Sequence, residues 1–480
     1  MMLMAVEPKA SLLIGGVWRG ADTGMAVDNP YSGEVLAHVA CATAADAGDA
    51  IASALRGAEA MRALSTGERA AILRRAGDAL SADAERFAAM ITAETGKVIK
   101  ASTKEVRRAV NTLRLSAEEA TRLTGETIPF DSFAGGEGRH GYYVYEPLGV
   151  IAAITPFNDP LNLACHKLGP ALAAGNAVIL KPADQAPLTA IMLVELLLAA
   201  GLPAEALQLL TGYGRDFGAA LVASDEVAMV SFTGGARVGE EIARTAGIKR
   251  VAMELGANGP VIVAADADVE KAAEACVSGA FWAAGQNCIG VQRIYVHASV
   301  YADFRDRLAA KTAALIVGDP MAAETDIGPM IAACEAERLE EWTDEALAAG
   351  AARCAGGARQ GAIFPPTVLE NVPASARIVR REAFGPVVSL FPFTDLDAAI
   401  AAANRAEHAI HAAIFTENIR DAHHAARHLH AAGVMINDST DYRLDAMPFG
   451  GAGRGNMGRE GVRFAIREMS QTKVICFSAR

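Results

Sequence analysis

From Val150 onward the chain alternates short apolar runs with helical stretches, and this alternation constrains the fold more than any other feature. Residues 150–155 precede a helical pattern at 161–174, and 177–180 precede 188–200. The same pairing recurs at 206–210 with 217–223 and at 227–232 with 238–246. Repeated strand–helix units predict an α/β fold whose parallel sheet is covered on both faces. The apolar runs end in turn residues, and an open parallel sheet places its ligand at such strand ends.

The rest of the chain divides around this stretch. Residues 45–120 are rich in Ala, Glu and Arg with apolar residues at helical spacing; 70–87 and 104–123 are examples. A glycine-rich segment follows at 125–141, with extended residues at 141–146, and predicts a hairpin or arm. A second alternating stretch begins near Pro260. Its candidate helices are 269–282, 300–316 and 335–349, and its candidate strands 387–391, 412–415 and 434–436. Residues 472–477 are apolar and extended. The expected units are 1–124 with 147–253, then 254–436, then 125–146 with 437–480.

Composition excludes several classes. The 480 residues are 52% hydrophobic, enough for sizeable cores. Fifty-six acidic residues against 44 basic ones give a net charge of −12, and no basic block suggests a nucleic-acid partner. Lys167 and Glu195 interrupt the longest apolar runs, which fall short of the ~18 residues of a membrane span. Residues 1–16 show no basic leader, and the seven cysteines form no Cys-x-x-Cys pair. A reduced, cytoplasmic protein is expected.

Cys288 lies between glycines in Gly285-Gln286-Asn287-Cys288-Ile289-Gly290. A thiol on such a tight path serves as a nucleophile once its proton is removed; otherwise it is a buried structural cysteine, the reading given to the other six. Glu254 ends an apolar strand before Gly256, where poor solvation suits a general base and a solvated loop acid is the alternative. In Thr155-Pro156-Phe157-Asn158-Asp159-Pro160, Asn158 can donate to an oxyanion, or Asn158 or Asp159 can cap the next helix. Lys181 and Asp184 lie beyond a buried strand, placed for ribose hydroxyls or simply solvated. The turn Thr233-Gly234-Gly235 through Gly239 suits a phosphate at a helix N-terminus; a second turn at Gly212–Gly218 lacks the usual glycine spacing. Glu382 and Phe384 stand just before a strand. His423, His424, His428 and His430 read as an exposed helix face, and no metal is expected.

In this order the segments resemble the NAD(P)-dependent aldehyde dehydrogenase superfamily, from about Asn29 to the C-terminus. The segments around Glu254, at 285–288 and at 382–387 are the specific parts. The resemblance implies a Rossmann-like cofactor domain at 1–124 and 147–253 and an α/β catalytic domain at 254–436. It also implies a β oligomerisation arm built from 125–146 and 437–480. Cys288 matches the nucleophile, Glu254 the base and Asn158 the oxyanion side chain acting with the Cys288 amide. Cofactor contacts are implied for Ile154, Thr155, Pro156 and Phe157, for Lys181, Ala183 and Asp184, and for Gly214. They are also implied for Phe232, Thr233, Gly234, Gly235, Val238 and Gly239, and for Leu255, Glu382 and Phe384. Relatives often carry Trp at Phe157, Ser at Gly235 and Gly at Ala257, and none of these departures removes a catalytic group.

The implied reaction is oxidation of an aldehyde to its acid through a cysteine thiohemiacetal and thioester. NAD is the expected cofactor because Asp184 repels a 2′-phosphate, with NADP possible through Lys181. Two alternatives stand beside it: a coenzyme A-acylating dehydrogenase, and a non-catalytic binding or structural protein on the same fold. A homodimer or homotetramer is expected. On the helix after Asn158, the polar residues Asp159, Asn162 and His166, together with Arg443, point to a small polar aldehyde. Similarity at 288–293 and 458–463 leans toward relatives acting on lactaldehyde or glyceraldehyde 3-phosphate. The expectation is lactaldehyde or glycolaldehyde, then a short semialdehyde.

Overall fold

A computed structural model describes residues 11–21, 24–406, 408–453 and 457–478. Its first seven-stranded sheet runs, edge to edge, through Arg250–Leu255, Val227–Gly234, Val150–Ile154, Ala177–Lys181, Leu207–Leu209, Leu12–Ile14 and Val17–Arg19. The first five strands are mutually parallel. The chain fills the sheet outward from Val150–Ile154 in one direction, then returns to place Val227–Gly234 on that strand's other side. Strand order therefore reverses between these two strands, which opens a crevice at their carboxyl ends.

The second seven-stranded sheet runs through Ala352–Ala355, Thr367–Glu370, Val387–Phe393, Val291–His297, Gly259–Val263, His411–Phe415 and Gly433–Ile436. Only its first pair is antiparallel. Strand Arg250–Leu255 belongs to the first sheet, so the expected boundary after residue 253 falls inside a strand. The glycine-rich segment does not close on itself as a full hairpin. Strand Arg139–Pro147 pairs antiparallel with Ser470–Ser478, from Ser470 opposite Pro147 to Ser478 opposite Arg139.

Local chemistry explains the helix borders. Thr43 with Asp46, and Ser65 with Glu68, form reciprocal capping boxes that start helices Ala44–Ala63 and Thr66–Ala82. The pattern expected as one helix at 70–87 is two, Thr66–Ala82 and Ala84–Thr95, meeting at Asp83. Apolar spacing continues across the joint and so hid the break.

Helix Pro160–Ala174 positions the site. Pro160 starts it, Gly175 ends it in the left-handed region, and every one of its 15 residues is buried. It packs so closely on helix Ile99–Arg122 that a Cβ at Gly169 would lie 2.3 Å from Ser116 Oγ. Its polar residues Asn162, His166 and Lys167 must therefore find partners inside the protein.

Candidate active site

A cavity of about 1360 Å³ occupies the crevice and continues between the sheets. Cys288, Glu254 and Asn158 all line it. So do the expected cofactor-contact positions, from Ile154 to Phe157 through Lys181, Gly214 and Gly234 to Phe384, with one exception. Gly239 lies off the wall, where a Cβ would be 2.5 Å from Leu255 Cδ2. It allows helix Ala236–Thr245 to pack against the strand that carries Glu254.

Cys288 reaches the cavity on a strained path. Helix Val269–Phe281 ends, and Ala283 (φ 51°), Ala284 (φ 54°) and Gly285 (φ 69°) all follow in the left-handed region. A non-glycine residue there costs about 1–2 kcal/mol, which the surroundings must hold in place. Gln286 Oε1 accepts from the Ile331 N–H at 2.9 Å, and Asn287 Oδ1 accepts from the Ile289 N–H at 3.2 Å. Among the described residues neither the Cys288 N–H nor the Asn158 amide has a partner, so both can bind a developing oxyanion. Burial pushes the Cys288 thiol above its ordinary range, against the pull of Arg443.

Glu254 is buried with Oε2 unpartnered. Burial, reinforced by Glu460, raises its pKa well above the usual carboxylate range; Lys167, Arg443 and Arg459 oppose the shift. Glu460 behaves oppositely. Burial disfavours its charge, but Lys167 and Arg443 hold its pKa low. Lys167 Nζ lies 3.2 Å from Glu460 Oε1 and 3.1 Å from Ser231 Oγ, and Arg443 Nη2 lies 2.9 Å from Glu460 Oε2. Two neighbouring carboxylates are thus driven apart: one is held ionised and the other is left able to take a proton. In the sequence Lys167 stands out only as an interruption of an apolar run, and Glu460 only as part of segment 458–463. A lysine within a largely apolar helical pattern needs a buried counter-charge, which Glu460 supplies.

At the crevice end, Lys181 and Asp184 form an ion pair on the wall. Helix Ala236–Thr245 begins at Gly235 without a side-chain cap, leaving its first N–H groups for a phosphate. Nearer Cys288, half-buried Glu382 accepts from the Ala257 N–H at 2.9 Å, and desolvation raises its pKa to about 7. Gly256 leaves room for that carboxylate, since a Cβ there would lie 1.8 Å from Glu382 Oε2 and displace it. Phe384 (φ 45°) meets Phe157 edge to face at 5.9 Å. A strand-end crevice, an uncapped helix start and a polar pair for ribose hydroxyls fit a nicotinamide dinucleotide.

The expected substrate contacts separate. Asp159 and Arg443 line the cavity, whereas Asn162 and His166 are wholly buried behind it and do not. Their partner is Asp445, whose Oδ1 lies 3.0 Å from His166 Nε2 and 3.3 Å from Asn162 Nδ2. The same oxygen accepts from Arg108 Nη2 at 2.8 Å, and Asp159 takes Arg108 Nη1 at 3.1 Å and pairs with Lys97. Nothing in the helical pattern disclosed Asp445 or Arg108, which arrive from distant segments. Cysteines also depart from expectation. Cys41, Cys165 and Cys276 are buried, but Cys334 and Cys476 are exposed.

A thiol and a proton-accepting carboxylate share one cavity with a nucleotide crevice, the arrangement of a cofactor-dependent oxidoreductase. The aldehyde dehydrogenase family model matches residues 18–475, and the chain belongs to that family. It is an enzyme that oxidises an aldehyde to its acid with NAD or NADP. The chain is similar to aspartate-semialdehyde dehydrogenase 1 of Pseudomonas canavaninivorans, 53% identical over 94% of this chain and 96% of that one. It is 45% identical to 3-sulfolactaldehyde dehydrogenase of Priestia aryabhattai, over 97% of each. Aldehyde dehydrogenase 21 from Physcomitrella patens, solved with the product succinate, superposes with a TM-score of 0.95 at 36% identity, covering 98% of this chain and 99% of that one. The glyceraldehyde-3-phosphate dehydrogenase GapN from Methanocaldococcus jannaschii, solved with NADP, gives 0.92 at 37% identity, covering 95% and 100%.

The raised thiol pKa gives a prediction for the free enzyme. The reactive thiolate forms only as pH rises, so the rate of Cys288 alkylation by iodoacetamide should climb without a plateau below pH 9.0, the ordinary value of a thiol. Mass spectrometry of the labelled peptide reads it; a plateau near neutrality would show a thiolate already formed.

Proposed function

We propose that this enzyme oxidises a short aldehyde carrying an anionic tail, a semialdehyde or its sulfonate counterpart. The supporting observation is Arg443 on the cavity wall. Its guanidinium lies 3.6 Å from the Phe449 ring centroid, and that ring is met edge-on by His411. Arg108 adds a second guanidinium and Lys104 an ammonium on the same wall. Arginine forks suit carboxylates and sulfonates. Relatives named for aspartate semialdehyde and sulfolactaldehyde share this tail chemistry. A neutral hydroxyaldehyde is the second reading, favoured by the carboxylate each arginine already holds. Steady-state kinetics decide: kcat/KM for succinic semialdehyde should exceed that for lactaldehyde and butanal by about tenfold or more, a paired charge being worth over 1 kcal/mol. Faster turnover of octanal or benzaldehyde would sink both readings.

In this mechanism the Cys288 thiol loses its proton to solvent as its sulfur attacks the aldehyde carbon, and the Asn158 amide with the Cys288 N–H holds the oxyanion. A bound nicotinamide would supply the hydride acceptor as the thiohemiacetal collapses to the thioester. Lys181 and Asp184 would hold its adenosine ribose, and Glu382 the other ribose. Glu254 then takes a proton from water as that water attacks the thioester, beside Glu460 kept ionised by Lys167. The water-activating carboxylate disfavours the coenzyme A-acylating alternative. In the Glu254→Gln enzyme, the first-turnover burst of NADH should persist while steady-state turnover falls by about 100-fold, the usual worth of a general base. Loss of the burst as well would give Glu254 an earlier role.

NAD is the preferred cofactor in this reading, because Asp184 would oppose a 2′-phosphate on the ribose and Lys181 is already paired to Asp184. Comparable kcat/KM for NAD and NADP would overturn that preference. The arm strands Arg139–Pro147 and Ser470–Ser478 leave Tyr142, Val474 and Phe477 exposed, which supports a homo-oligomer joined there. Light scattering of a fully active monomer would refute it. Free cysteines throughout support a reducing, cytoplasmic setting, which fractionation tests.

A further inference from the structure

We infer that Asp445 is a positioning residue that limits how much negative charge a substrate tail can bring against Arg108. The inference rests on the tail pocket proposed above and concerns a residue outside the cavity wall. Asp445 belongs to the segment between strands Gly433–Ile436 and Ala452–Gly453 and reaches back to helices Ile99–Arg122 and Pro160–Ala174. One oxygen, Oδ1, gathers Arg108, His166 and Asn162. Its other oxygen has no hydrogen bond among the described residues.

Arg108 is therefore flanked on both edges. Asp445 holds Nη2 and Asp159 holds Nη1, while Asp159 in turn faces Lys97, which Glu105 shares at 2.6 Å. This fixes the guanidinium plane and offsets its charge. The remaining titratable groups around the trio are His166, kept neutral by burial and by Arg443, and Glu105, raised by burial to about 7. No further cation among the described residues bonds to Asp445.

A carboxylate or sulfonate tail brings one charge, which Arg108, Arg443 and Lys104 can hold. A phosphate ester brings nearly two. Coulomb energy scales with the product of charges, so the attraction of these cations and the opposing repulsion of Asp445 and Asp159 both grow with the tail's charge, and what Asp445 subtracts is about twice as large for the dianion. Asp445 therefore lessens the binding gained by a phosphorylated tail more than that gained by a monoanionic one. The similar GapN is named for a phosphorylated aldehyde, so the charge of the tail distinguishes two kinds of substrate on one fold.

The test uses the full-length enzyme with butanal, succinic semialdehyde and glyceraldehyde 3-phosphate. Asp445→Asn keeps an acceptor oxygen toward Arg108 and removes only the charge. It should lower KM about threefold for the monoanion and about tenfold for the phosphate ester, leaving kcat and the butanal KM unchanged, as a charge-scaled effect requires. Asp445→Ser, with the same charge removed, should give the same ordering if the first variant folds poorly. On an Arg108→Gln background the Asp445 effect should vanish. An equal change for all three aldehydes, or a higher KM for the charged ones, overturns the inference. Arg108→Gln without effect on succinic semialdehyde overturns the tail-pocket reading; an effect there with none from Asp445→Asn overturns the inference alone.

Discussion

Helix Pro160–Ala174 has no face toward water, yet it carries Asn162, His166 and Lys167. Burying a polar group without a partner costs about 1–3 kcal/mol, and an unpaired charge costs more. That constraint organises the surrounding structure. Lys167 draws Glu460 from the segment after the second sheet, and His166 with Asn162 draws Asp445. Both acids come from beyond residue 437, so the polar side chains of one helix hold the C-terminal segment against the helices of the first sheet's layer.

The electrostatics of the cavity follow from that fastening. Glu460 stays ionised because Lys167 and Arg443 hold it, and its charge adds to burial in raising the pKa of Glu254. Cys288 is likewise raised by burial. The resting site thus stores a protonated thiol beside a carboxylate able to accept a proton. Backbone strain supplies the remaining precision. Three consecutive left-handed residues turn the chain after helix Val269–Phe281 toward the cavity that Cys288 lines.

Glycine shapes the same wall for a different reason. At Gly256 the neighbouring carboxylate of Glu382 occupies the space a Cβ would need, which lets the Ala257 N–H reach it. Gly239 serves packing instead, and this separates it from the glycines that line the crevice. A glycine motif read along the chain mixes both roles, because each needs the same absent side chain.

Local pattern alone determined the parallel-sheet architecture, the course of the strands and helices between residues 150 and 246, and the segments that carry Cys288, Glu254, Asn158, Lys181 and Asp184. Periodicity and turn residues are properties of neighbours in sequence, so they are legible there. The break at Asp83, the pairing of Arg139–Pro147 with Ser470–Ser478 and the burial of Asn162 and His166 were decided by tertiary packing. So were the charge states of Glu254 and Glu460, which look alike as letters. A carboxylate's proton affinity depends on which cations stand within a few ångströms and how much water remains, and Lys167 lies 293 residues from Glu460 along the chain.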